Sequence, residues 1–169
     1  MSVTMHQASA AAFERGLTAL ANVLRKAATH AAEKKIEDSV FLDARLYPDM
    51  LPFRSQVHIA SDFARGTLAR LLAQDLPKWD DDEKSLAELV ARVERTLEVV
   101  RAVKPASLEG SETREITRKV GGKDRTFSGV DYLIKFALPN FYFHAATAYD
   151  ILRHNGVVLG KSDFLGSFD

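Results

Sequence analysis

Asn140 and His144 lie four residues apart in Ser128–Gly166, the most apolar and most aromatic stretch of the chain. On a helix, side chains four apart share a face, one turn from each other. An imidazole and a carboxamide so placed support two chemistries. They can offer donor atoms to a ligand or metal, or they can form a buried polar pair satisfied by each other and by nearby backbone. Pro139 adjoins the pair. Its missing N–H leaves a carbonyl one turn earlier without a partner, so the spacing predicts a kinked helix around Lys135.

Other chemistries are excluded by what the chain lacks. It has no cysteine, hence no disulfide, thiolate metal site or cysteine nucleophile, and this fits a reducing, cytoplasmic setting. No serine sits in a nucleophile elbow, and no Ser-His-Asp framework is visible. Gly121-Gly122 is not followed by Lys-Ser/Thr, so it reads as a turn and not as a phosphate loop. Lys plus Arg number 23 and Asp plus Glu 23, a balance that gives nucleic acid or an anionic membrane no electrostatic hold. The N-terminal residues show no basic segment followed by an apolar run, so no secretory leader is expected, and no run of 18 apolar residues is present. With 169 residues, 46% hydrophobic and 27% charged, the chain is expected to form one globular domain over 1–169.

Four amphipathic segments are expected to position the candidate residues. The first runs from Thr4 to Lys34 with the stripe Phe13, Leu17, Leu20, Leu24, Ala27 and Ala31. Residues 35–52 form a long connection whose apolar residues, among them Val40, Leu46, Tyr47 and Leu51, need cover. A connection of this length permits a crossover. The second helix runs from Pro52 to Ala73 on Phe53, Val57, Ala60, Ala64, Leu68 and Leu71. The acidic run Asp80–Glu83 reads as a solvated loop. The third helix, Glu83–Val103, presents Glu88, Arg92, Arg95, Glu98 and Arg101 as an ordinary solvated face. Glu115–Val120 and Lys123–Phe127 flank the glycine pair as a small hairpin. The fourth helix starts at the N-cap Ser128, carries the stripe Val130, Ile134, Ala137, Phe141, Ala145, Ala148 and Leu152, and ends at Gly156. The apolar tail, with Phe164, Leu165 and Phe168, packs back. The sum is an all-α four-helix bundle with a crossover connection and one β-hairpin between its third and fourth helices.

The blocks RLYPDMLPFRSQV (Arg45–Val57), ASDFA (Ala60–Ala64) and DYLIKFALPNFYFHAATAYDILRHNGVVLGKSDFLG (Asp131–Gly166) give the chain a resemblance over nearly its whole length. It resembles the uncharacterised bacterial family called domain of unknown function 1993, within the DinB-like superfamily. The resemblance implies a four-helix bundle, often a homodimer. Many such bundles hold a divalent metal, Zn or Ni, on three histidines, one on the second helix and two spaced by four on the last. Some relatives are thiol-dependent transferases. Carried over, the metal set is His58, Asn140 and His144, with Asn140 where the superfamily has histidine. Carboxamide is a poor ligand for Zn²⁺ or Ni²⁺ beside imidazole. Asp62, four residues after His58, could orient its ring from a second shell or form a surface pair with it.

On a helical wheel His58 lies roughly 120° from the stripe of its own helix, towards solvent or a cleft. Two functional expectations follow. One is a non-catalytic or vestigial dimeric bundle that binds a small molecule or partner, with Trp79 and the tail phenylalanines available for an interface. The other is a metal-dependent, thiol-transferase-type enzyme using His58 and His144. The three candidate residues are expected to converge on one polar pocket between the second and fourth helices.

Overall fold

The protein is described from a computed structural model covering residues 2–76 and 78–167. Thr4 opens the first helical turn, α1 (Met5–Ala8), with a capping box: its hydroxyl accepts from the Gln7 N–H, and the Gln7 side chain accepts from the Thr4 N–H. Ser9 then interrupts the helix, so the single helix expected over Thr4–Lys34 is α1 followed by α2 (Ala10–Lys34). The Ser9 hydroxyl donates to the Met5 carbonyl at 2.6 Å, a local bond that competes with helix continuation.

The long connection contains a short helix, α3 (Asp38–Leu42), which buries Phe41 and Leu42. Val40, Leu46, Tyr47 and Leu51 stay exposed, contrary to the cover expected for them. Pro52 is the N-cap of α4 (Phe53–Leu71), whose whole expected stripe is buried. Ser85 caps α5 (Leu86–Arg101), its hydroxyl accepting from the Glu88 N–H. This helix begins later than the expected Glu83.

A single antiparallel ribbon follows, β1 (Ile116–Val120) and β2 (Lys123–Phe127), in register from Ile116–Phe127 to Val120–Lys123. Gly121 and Gly122 take φ of 59° and 80°, as a two-residue turn with both central residues left-handed requires.

The last long helix has three parts: α6 (Gly129–Asp131), a π-helical stretch Tyr132–Ala137, and α7 (Leu138–His154). The irregularity expected around Lys135 is this π stretch, just ahead of Pro139. It widens the turn, so Tyr132 and Ala137, five apart, are both buried. Ile134, expected in the core stripe, is instead 55% exposed, and Leu133 takes the inward place.

α2 packs mainly against α5 and α4 against α7 and α5, with lighter contacts from α2 to both α7 and α4. One contiguous core joins them, with Phe13, Phe41, Phe53, Tyr132 and Phe141 fully buried. Phe13 meets Phe141 edge-on at 5.1 Å. In the tail, Val157 and Leu159 are buried. Phe164, on α8 (Lys161–Leu165), meets Tyr149 edge-on at 5.8 Å. Phe168 lies outside the described residues. Among the described residues, no helix is long and apolar enough to cross a membrane.

Candidate functional site

α4 is buried over a wide arc because it packs against both α5 and α7. Gln56 and His58 are two residues apart, about 200° around the helix. They therefore serve opposite flanks. Gln56, 1% exposed, faces α7: its Oε1 lies 2.7 Å from His144 Nδ1, and its Nε2 donates to the Leu51 carbonyl at 2.8 Å. With the amide NH₂ committed to Leu51, Oε1 must accept, so His144 Nδ1 carries the proton. The Nε2 lone pair is left as the basic atom of a neutral ring. Phe63 stacks on the His144 ring at 6.2 Å and 18°, and Phe143 meets it edge-on at 5.2 Å. Burial lowers the His144 pKa from its ordinary value, because a charged ring would be poorly solvated there.

Asn140 does not bond to His144. Its Nδ2 donates to the Phe136 carbonyl at 2.7 Å, at the end of the π stretch. The pair thus shares a face as its spacing requires, but each member has its own partner. Asn140 supports backbone in the irregular turn before Pro139, and His144 is tied to α4.

His58 departs from its expected place. It is 5% exposed, not turned to solvent, and it faces α5 and the acidic loop. Its Nε2 lies 2.8 Å from Glu83 Oε2 and its Nδ1 lies 3.7 Å from Asp81 Oδ1. The Nε2–Oε2 approach is close but poorly aligned, and both atoms lack an aligned hydrogen-bond partner. The centre of this cluster is Arg92, 4% exposed, which the charge pattern had put on a solvated face. Its guanidinium donates to the Asp80 carbonyl and Glu83 Oε1 at 2.9 Å, to Asp81 Oδ1 at 2.7 Å and to Asp62 Oδ1 at 3.4 Å. The acidic run is therefore not simply solvated, since two of its carboxylates and one carbonyl hold Arg92.

Asp62 pairs with Arg65, at 2.8 Å from Nη2, and with Arg92. It does not orient His58. Trp79 lies under three guanidiniums, with Arg95 Cζ 3.9 Å, Arg65 Cζ 4.3 Å and Arg92 Cζ 5.9 Å from its ring centroid. Both Trp79 and Phe164 thus already make contacts within their own chain. The His58 pKa is lowered, first by burial and then by the Arg92 charge, against the upward pull of Glu83 and Asp81.

The expected convergence of His58, Asn140 and His144 on one pocket is not what the structure has. The flank occupied by His58 faces away from the one that meets His144. A three-histidine-type metal set does not fit these residues. Both ring nitrogens of His58 lie against carboxylates, and the Asn140 amide is committed to backbone. Among the described residues, no three His, Cys, Asp or Glu side chains come together as a metal-holding group. Sequence reasoning missed Gln56, Phe63, Glu83 and Arg92. For Arg92 the apolar pattern carries no signal, since Glu94 adjoins Val93 equally and is exposed, and what marks Gln56 and Arg92 is their burial in the fold.

The fold is that of a DinB-like protein. The crystal structure of a DinB family member protein from Shewanella denitrificans matches with a TM-score of 0.89 and 37% sequence identity, over 97% of this chain and 93% of that one. The model of the family described as a domain of unknown function, DUF1993, matches residues 5–165, and the chain belongs to that family. No curated protein matches it.

Proposed function

We propose that this chain is a non-catalytic or vestigial DinB-like four-helix bundle, with a crossover connection between its first two long helices, that binds a small molecule or a partner. The observation that carries the reading is the burial of His58 between Glu83, Asp81 and Arg92. The histidine that would complete a metal set instead joins α4 to the acidic loop and α5. A second copy of the chain is part of the same reading. Ile134, Tyr142 and Phe143, exposed on the last helix, offer it apolar surface. A monomer mass by light scattering at micromolar concentration refutes the pairing.

One observation favours the metal-dependent alternative. His144 has its Nδ1–H anchored and its Nε2 lone pair available, as a ligating histidine requires. Calorimetric titration of Zn²⁺ and Ni²⁺ into untagged wild-type protein and Asn140→His separates the two. The non-catalytic reading expects no stoichiometric binding in either protein. Tight binding that strengthens in Asn140→His and vanishes in His144→Ala overturns it.

A further inference from the structure

Trp79, the one tryptophan of the chain, forms part of the wall of a groove of about 590 Å³ lying between α4 and α5. Leu68, Leu72, Leu76, Val99 and Val103 are its other large apolar lining residues. The volume is in the range of small-ligand sites. Leu76 and Val99 remain 37% and 41% exposed there, so a ligand would cover apolar area that the fold leaves wet. The wall is set in advance. Arg65 and Arg95 hold the Trp79 ring, and Asp81 and Glu83 tie the following residues to Arg92. Such preorganisation reduces the cost of ordering on binding.

The charges lining the groove are Arg65 and Lys104 against one carboxylate, Asp75. Arg65 is already met by Asp62. The Lys104 ammonium is exposed and has no carboxylate within ion-pair distance among the described residues. A groove with aliphatic walls and a free cation on its lining complements a molecule with an alkyl body and one negative end.

We propose that this α4–α5 groove binds an amphiphilic carboxylate, its alkyl chain against Leu72, Leu76, Val99 and Trp79 and its carboxylate at Lys104. The proposal rests on the reading of the protein as a binding bundle and names the ligand class.

Trp79 reports on its own wall, so the test needs no label. Decanoate, kept below its micellar concentration, is titrated into the full chain and followed by Trp79 emission and calorimetry. Decanol and decyltrimethylammonium serve as chain-matched neutral and cationic probes. Decanoate is expected to saturate at one per chain, decanol to bind more weakly and the cation most weakly. Lys104→Glu should weaken decanoate at least tenfold and leave decanol unchanged. Val99→Glu should weaken both. Both substituted positions are exposed, and circular dichroism checks that the helices persist.

Absence of a saturable change with decanoate overturns the proposal, as does equal binding of the three probes or unchanged affinity in Lys104→Glu. If Val99→Glu converts a dimer to a monomer and decanoate does not bind, a second copy occupies the groove and the proposal fails. Stoichiometric metal at His144 would instead overturn the non-catalytic reading without altering these titrations.

Discussion

Replacing Glu83 with Gln tests the buried cluster at its least exposed carboxylate. Glu83 is 13% exposed at its side chain, against 42% for Asp62 and 54% for Asp81, and Arg92 is 2% exposed. Gln keeps the size and one oxygen acceptor but removes the charge. Removing the sole partner of a buried ion costs about 3–5 kcal/mol. Arg92 keeps Asp81 at 2.7 Å and Asp62 at 3.4 Å, so it is not orphaned. The loss is then that of one hydrogen bond to a charged group, about 2 kcal/mol. The same change acts on His58. Glu83 raises its pKa and Arg92 lowers it. Glu83→Gln should therefore push the His58 pKa further down, and Arg92→Met should bring it up. The assay is the imidazole proton shift of His58 by NMR between about pH 5 and 8, with urea denaturation of each variant near neutral pH. Movement of His58 in the same direction in both variants would refute the placement of the cluster. So would a loss below about 0.5 kcal/mol for Glu83→Gln, a value within surface-substitution scatter.

Acidification should destabilise the protein through two histidines. His58 and His144 both have folded-state pKa values below the ordinary 6.5. The unfolded chain therefore takes up protons first, and their contribution is complete above that value and lost as pH falls from it through the lowered values. The urea midpoint should drop over this window, and His58→Gln should flatten part of the fall. An unchanged slope in that variant refutes the assignment to His58. Gly129→Ala should be far more damaging than its small size suggests. An added Cβ would stand 1.9 Å from the Ser111 carbonyl oxygen, which is backbone and cannot swing aside. The expected cost is about 3 kcal/mol, at the upper end for overpacking. A melting temperature within error of wild type would show that the Ser111 turn yields.

The helices were legible in the sequence because each long one carries an apolar stripe at helical spacing. The π stretch was not. A single proline announced irregularity around Lys135, but only packing decides whether a helix kinks or widens. Here the wider turn brings Tyr132 and Leu133 into the core and leaves Ile134 outside. The break at Ser9 was equally hidden, since one serine costs a helix only a few tenths of a kcal/mol against alanine, about 0.7 kcal/mol at most, and does not by itself end it.

The misplacement of His58 has a definite physical origin. A wheel with one stripe assumes that a helix has one buried face, and α4 has two. Phe53, Val57, Ala60 and Ala64 mark the centre of the arc. Gln56 and Phe63 extend it towards α7, and His58, Ser61 and Arg65 extend it towards α5 and the acidic loop. His58 on the second flank is buried against carboxylates that arrive from the acidic loop, while Arg65 pairs with Asp62 of its own helix. Hydropathy cannot register that, because Arg92 and Glu83 read as solvated until they are seen together. Charge complementarity between distant segments, not apolar periodicity, therefore governs this side of α4. His58 accordingly faces Glu83 and Asp81, where the one-stripe wheel had put solvent or a cleft.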